Sequence, residues 1–289
     1  MLKVGSLFSG AGLCDLGFSW AGLHHQFFCE IDPFCRSILM RHWPGTSIYN
    51  DVACLNGADL PQVDVLAGGF PCQDVSAAGS RAGIKTGTRS GLWYEFRRII
   101  EESRPKYVII ENVRGLLSLG VEIVLQDLAG LGYDAEWEVL SAAACGAPHR
   151  RERVFIVAYP NGGRADAECR LLSPLSGILG DDHQSHGLAD WLGIRFDRKD
   201  RTSSYLAYRG PVLHRVDDGR SERLDKPFWN NRALPSGVGR ISRDAARAVL
   251  PALKALANGI VPHQAYAIAA CIMIAEGLPV SPHRCCRYP

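Results

Sequence analysis

Over residues 1–159 the chain alternates short strand-like runs with helix-like ones, which restricts it to α/β layering around a mostly parallel sheet. Val4 to Phe8 reads as the first strand, followed by a glycine-rich turn and a helix through Leu16 to Ala21. His25 to Glu30 reads as a second strand and Val63 to Ala67 as a third. Trp93, Phe96, Ile99 and Ile100 recur at helical spacing, and Pro105 stops that helix from continuing. Tyr107 to Ile110 follows as a fully apolar strand leading into Glu111-Asn112, and Trp137 to Leu140 and Val154 to Ala158 are two further strands.

The alternation breaks at Pro160. From there to Arg240 the chain is rich in glycine, charge and turn signals, with 13 Lys/Arg against 11 Asp/Glu and the aromatics Trp191, Tyr205, Tyr208, Phe228 and Trp229. A structureless loop of that length is implausible inside a compact domain, so a small separate domain is expected over 160–240. Helical character returns from Ser242 to Ala257, divided at Pro251, and a second apolar helix is expected over Gln264 to Glu276. The expected organisation is a catalytic and cofactor-binding domain over 1–159, an inserted domain over 160–240, and C-terminal helices over 241–289 that return to the first domain.

Composition narrows the function classes. At 289 residues, 47% hydrophobic and 21% charged, the chain has the balance of an ordinary globular protein. Its opening residues run straight into a strand without a signal peptide's apolar stretch, and no later window offers a membrane span. The ten cysteines form no C-x-x-C pair and no His/Cys cluster at zinc spacing, so no metal is expected. A cytoplasmic protein with reduced thiols follows as the expectation. The formal charge of +2 neither requires nor excludes a nucleic-acid partner.

Four local features carry possible chemistry. In Asp64 to Ser76, an apolar run ends in two glycines and then presents Pro71-Cys72-Gln73. That thiol is either a small buried hydrophobe or a nucleophile placed just past a strand's carboxyl end, where open α/β sheets hold their ligands. Phe8 to Phe18 is a strand-to-helix turn with glycines at 10, 12 and 17, but Asp15 stands where the dinucleotide fingerprint needs glycine. Glu30, twenty residues after Gly10, suits the two hydroxyls of a ribose, or is simply a surface glutamate beside a tight turn. Glu111-Asn112 is either a buried capping pair or a carboxyl whose desolvation raises its pKa for acid catalysis. In His149 to Arg153, alternation along an extended chain would put Arg151 and Arg153 on one face, either solvated or aimed at a ligand.

Order and spacing join these features. The F-S-G-A-G turn, the Gly-Phe-Pro-Cys-Gln loop, Glu111-Asn-Val113, the Pro148-His-Arg-Arg-Glu-Arg153 string and Asn258-Gly259 occur in one sequence. The chain thereby resembles the DNA (cytosine-5)-methyltransferase family, of the prokaryotic or phage type, over residues 1–159 and again around 253–276. It departs from the family pattern at Leu13 and Ala257, where glycines are usual, and at His149, where glutamine is usual.

The resemblance implies a Rossmann-like doubly wound sheet for S-adenosylmethionine-dependent methyl transfer, with a smaller target recognition domain inserted before the C-terminal helices. It implies transfer of a methyl group to carbon 5 of a cytosine flipped out of a specific double-stranded DNA sequence, through a Cys72 adduct at carbon 6. Glu111 would protonate the ring at N3, and Arg151 and Arg153 would orient the catalytic loop and stabilise the O2 side. Phe8, Gly10 and Gly12 match the methionine-side turn, Glu30 the ribose ligand, Ile31 and Leu92 the adenine neighbours, and Asp51 the acceptor of the adenine amino group. Asn258 and Ile260 match the late motif that completes the cofactor pocket, and Gln73 and Ser76 lie on the loop that would meet DNA. A monomer is expected, associated with the nucleoid through DNA, with a cognate restriction endonuclease as a possible partner. An RNA cytosine-5 methyltransferase and a catalytically silent DNA-binding relative are the alternatives.

Overall fold

The computed structural model describes residues 1–71, 90–145, 147, 150–162, 170–179 and 260–280. All of them belong to one compact unit, Met1–Ile194 with Asn258–Pro289. Strand β1 (Lys3–Leu7) turns into α1 (Leu13–Ala21), and β2 (His24–Cys29) into α2 (Pro33–His42). The strand β3 (Ser47–Tyr49) and two short 3-10 turns, Val52–Cys54 and Gly57–Asp59, precede β4 (Val65–Gly68). After a further 3-10 turn at Ser90–Leu92 come α3 (Trp93–Ser103), β5 (Tyr107–Val113), α4 (Leu116–Leu119) and α5 (Val121–Gly130). Then follow β6 (Tyr133–Leu140), β7 (Arg153–Pro160), α6 (Leu175–Leu179) and α7 (Pro262–Ala275).

The seven strands lie in the order β3-β2-β1-β4-β5-β7-β6. Pairing is parallel from β3 across to β5, and β7 runs antiparallel to both β5 and β6. The period-2 alternation of a strand buried on both faces sorts the core into two layers. Val65, Ala67, Tyr107, Ile109, Phe155 and Val157 face the layer of α1 and α7, which holds Phe18, Ala21 and Tyr266. Leu66, Val108, Ile110, Val154 and Ile156 face the opposite layer, filled from α3 and α5 by Trp93, Phe96, Ile99 and Leu128.

Several boundaries differ from those the sequence suggests. Helix α2 and strand β3 are additions to the elements expected from sequence. Asp32 caps α2 by accepting from Phe34 N at 2.8 Å and Cys35 N at 3.2 Å, with Pro33 in the first turn, a strong start signal. Only Cys35 and Leu39 of that helix are buried, so its apolar stripe is too thin to read. Strand β5 does not end at Ile110 but carries Glu111 and Asn112 within it, because antiparallel pairing to β7 continues through Val113–Arg153. Within the stretch 160–240, Leu171, Leu172, Leu175 and Ile178 are buried in the layer of α1 and α7, and so belong to the body of the sheet domain. The rest of that stretch, apart from Asn161, Gly162, Arg170 and residues near these, lies outside the described residues, as does the helix expected over Ser242 to Ala257. Among the described residues no helix is long and apolar enough to cross a membrane.

Candidate active site

The carboxyl ends of β1 and β2 form the first half of the site. Past β1 the backbone enters the left-handed region at Phe8 (φ 55°), Gly10 (φ 55°) and Gly12 (φ 78°), a sequence of turns that glycine makes cheaply and Phe8 does not. The Glu30 carboxylate ties this turn to β2: Gly10 N donates to Oε2 and Asp32 N to Oε1, both at 2.7 Å. Glu30 is nearly buried, yet each carboxylate oxygen keeps acceptor capacity beyond its one backbone donor. Next to it Ile31 is 70% exposed, an apolar surface left open beside a carboxylate, and there is open space where a side chain on Gly10 would stand. Arg36 fixes this corner by donating to the carbonyls of Glu30 at 3.0 Å and Ile31 at 2.6 Å.

Asp51 follows β3 and caps the 3-10 turn at Val52–Cys54, accepting from Ala53 N at 3.0 Å. That turn is held from α3, where Arg98 donates to Leu55 O at 2.8 Å and Val52 O at 3.1 Å while Glu95 and Glu102 grip its guanidinium. Leu92 is half-buried at the start of α3. An acid, two backbone turns and an exposed aliphatic surface at one sheet edge are residues that fit a nucleoside. Ile260 is buried in the core layer under α7 rather than standing open in this groove, and Asn258 lies outside the described residues.

The second half is built where β4, β5 and β7 end. Strand β4 leads through Gly69 to Phe70, which is buried against Trp93 with ring centroids 5.7 Å apart. The buried Asn112 donates from Nδ2 to Phe70 O at 3.1 Å, tying β5 to the segment that enters the Pro71-Cys72 loop. Cys72, Gln73 and Ser76 lie outside the described residues. Beside Asn112, the Glu111 carboxylate meets Arg153 Nε at 3.0 Å. Register explains the pair: Glu111 is opposite Phe155 and Val113 opposite Arg153, so acid and base are diagonal neighbours on one face of the ladder.

Burial pushes the Glu111 carboxyl up to about 7, against the pull of Arg153 and Arg151 in the other direction. Such a group shares its proton near neutral pH, as a proton donor to a ring nitrogen must. Its seat depends on Gly69, where a Cβ would come within 2.7 Å of Glu111 Oε2. Gly69 is not distinguished in the sequence, and the role of Asn112 is not legible there, since each acts through a partner on another strand. The thiols described near the sheet serve packing: burial raises Cys14 well above its ordinary value, and takes Cys29, Cys145 and Cys271 to about 12.

The arginines converge on Glu111, but not by strand alternation as expected. Arg153 is the first residue of β7, whereas Arg151 precedes the strand in a left-handed turn with φ 32°. A turn, not a pleat, therefore aims Arg151. Among the described residues no cluster of His, Cys, Asp and Glu could hold a metal ion.

A family description, C-5 cytosine-specific DNA methylase, matches residues 2–184, the span that contains the glycine turn, Glu30, Glu111 and both arginines. The chain belongs to the C-5 cytosine-specific DNA methylase family. Among curated members, it is 38% identical to the Type II methyltransferase M2.BsuMI of Bacillus subtilis (strain 168) over 165 residues, 54% of this chain and 42% of that one. It is 32% identical to the Type II methyltransferase M.NlaX of Neisseria lactamica over 181 residues, 61% of this chain and 56% of that one. The chain thus spans about half the length of the curated family members it matches. In fold it is similar to the S. pombe Dnmt2 methyltransferase, with a TM-score of 0.51 and 20% identity, covering 69% of this chain and 63% of that one. The seven-stranded sheet is accordingly a Rossmann-like methyltransferase sheet.

Proposed function

We propose that the protein transfers a methyl group from S-adenosylmethionine to carbon 5 of a cytosine flipped out of double-stranded DNA. The observation that carries this reading is the Glu111–Arg153 pair, a carboxyl poised near 7 beside the strand end that leads to Cys72. Carbon 5 of cytosine is a weak nucleophile, and addition of the Cys72 thiolate to carbon 6 makes it an enamine carbon. Glu111 gives its proton to N3, which takes up the charge that addition pushes into the ring. Arg153 and Arg151 both act on Glu111, and their positive field is assigned to offsetting negative charge on the pyrimidine oxygen. S-adenosylmethionine supplies the electrophilic methyl group. Carbon 5 takes it and S-adenosylhomocysteine leaves; the carbon 5 proton passes to solvent, the electron pair it leaves expels the Cys72 thiolate from carbon 6, and N3 returns its proton to Glu111, releasing 5-methylcytosine.

For the cofactor, Glu30 is assigned to the ribose hydroxyls, Asp51 to the adenine amino group, Ile31 and Leu92 to the adenine ring. Phe8, Gly10 and Gly12 are assigned to the methionine end, and Asn258 to the close of the pocket, with the buried Ile260 supporting it from the core. Gln73 and Ser76 are assigned to the DNA beside the flipped base. The part of 160–240 beyond the buried Leu171, Leu172, Leu175 and Ile178 is assigned to target recognition, its arginines and aromatics suiting phosphates and base edges. The naming of curated relatives as Type II methyltransferases supports a restriction–modification setting, with a cognate endonuclease as partner. The protein is assigned to the cytoplasm as a monomer bound to DNA.

Tritiated S-adenosylmethionine offered with plasmid DNA or with transfer RNA tests the reading. Counts on DNA are expected; counts on RNA alone, or on neither, overturn it. On 5-fluorocytosine DNA the protein should form a denaturation-resistant adduct that Cys72→Ala abolishes, and an adduct surviving in that variant would assign the nucleophile elsewhere.

A further inference from the structure

Gln264 has no part in the site described above, yet it is a fully buried polar side chain whose whole amide is committed. Its Nε2 donates to Leu140 O at 2.8 Å and to Arg151 O at 3.1 Å, and its Oε1 accepts from Val261 N at 3.3 Å. The two carbonyls belong to the two ends of one loop. Leu140 is the last residue of β6, and Arg151 stands two residues before β7. A single NH2 group thus bridges the neck of the β6–β7 connection, from a helix that enters the fold more than a hundred positions later. A second link narrows the same neck, since Ala142 N donates to Arg150 O at 2.6 Å.

The bridge falls on a residue whose backbone needs holding. Arg151 lies at φ 32°, a conformation that non-glycine residues adopt only where their surroundings impose it. Its guanidinium acts on Glu111, lowering the carboxyl's pKa. Fixing the carbonyl of Arg151 fixes the peptide plane from which that side chain departs.

We propose that Gln264 is a positioning residue for Arg151: its buried carboxamide closes the neck of the β6–β7 loop and so sets the approach of the Arg151 guanidinium to Glu111. The inference rests on the proposed methyl transfer, because Arg151 matters only if a base is bound there. It also makes the first turn of α7 part of the base pocket's framework. An apolar residue of similar length would fill the same space while leaving two carbonyls without their donor.

The test compares Gln264→Met, Arg151→Ala and the double variant in methyl transfer to DNA, with Tm recorded for each. Gln264→Met is expected to lower kcat at least tenfold below its Tm while leaving KM for S-adenosylmethionine within twofold. In the Arg151→Ala background the same change is expected to lower kcat no more than twofold further, since a residue that acts through Arg151 has nothing left to position. An unchanged kcat overturns the inference, as does a loss that appears in KM for S-adenosylmethionine or multiplies in full in the double variant. Gln264→Asn, which keeps the amide but draws it back by one methylene, is assayed by the same criteria if Gln264→Met does not fold. Failure of both to fold while Arg151→Ala folds normally also overturns it, by making Gln264 a residue of the core alone. A wild-type protein that moves no methyl group overturns instead the functional reading on which the inference rests.

Discussion

Arg153 Nε and Glu111 Oε1 lie 3.0 Å apart on neighbouring antiparallel strands, both side chains largely withdrawn from water. Desolvation nevertheless wins at Glu111 and raises it from 4.5 to about 7. The folded protein therefore holds a proton that the unfolded chain has released, and stability is lost as pH rises from about 4.5 to about 7, then levels off. The loss is roughly 3 kcal/mol. Glu111→Gln should remove that part of the slope, as urea unfolding at pH 5 and pH 8 would measure. A variant with the same pH dependence as wild type would place the titration elsewhere.

Arg153→Met removes the nearest positive charge, so Glu111 should hold its proton to a still higher pH. Methyl transfer should fall by about 10²-fold, and the pH at which the remaining activity declines on the alkaline side should move upward. A pH–rate profile of the variant beside wild type decides this.

Gly69→Ala places a Cβ within 2.7 Å of Glu111 Oε2 and 3.3 Å of the Glu111 backbone carbonyl, so the carboxyl must shift. A displacement near 1 Å in a reacting group costs on the order of 10²-fold in rate. Binding of S-adenosylmethionine, proposed for the ends of β1 and β2, should be unchanged by calorimetry while kcat falls.

Asn112→Ala leaves the buried Phe70 carbonyl without its 3.1 Å donor. An unmet buried acceptor costs about 1–3 kcal/mol, visible as a lower Tm. The Cys72 loop starts at that carbonyl, so formation of the 5-fluorocytosine adduct should slow by about tenfold, a rate separable from the stability loss by working well below Tm.

Glu30→Gln keeps the shape of the side chain but gives up its charge and one of the acceptors now taken by Gly10 N and Asp32 N at 2.7 Å. Hydrogen bonds to a charged group contribute about 1.5–3 kcal/mol each, so the Kd for S-adenosylmethionine should rise about 10- to 100-fold. Adduct formation on 5-fluorocytosine DNA before cofactor addition should be unaffected.

Local chemistry made half of this site legible in the sequence. The glycines after β1, and an acid one strand further on, announce a ligand turn because each acts within its own segment. The raised carboxyl at Glu111 was equally readable, since an acid after four apolar strand residues must be desolvated. What stayed hidden depends on contacts between distant segments. Gly69 matters through Glu111, Asn112 through Phe70, and Gln264 through Leu140 and Arg151. Arg151 defeated the period-2 argument because its left-handed turn interrupts the extended chain that the argument assumes. Helix α2 went unseen because its amphipathic stripe is only two residues wide, although Asp32-Pro33 marked its start.

The seating of α7 on α1 has a consequence for synthesis. A Cβ on Gly17 would collide with the Pro262 carbonyl and lie 2.8 Å from Tyr266 N, so the two helices are in contact along their backbones. Every strand of the sheet has been made once Pro160 leaves the ribosome, but the side of α1 that packs on α7 waits for Ala275 to be covered. At about 5–20 residues per second that wait lasts on the order of ten seconds. Throughout it the nascent chain carries a finished sheet whose α1 side lacks the cover that α7 supplies, which makes this interval the stage at which chaperone binding should be strongest.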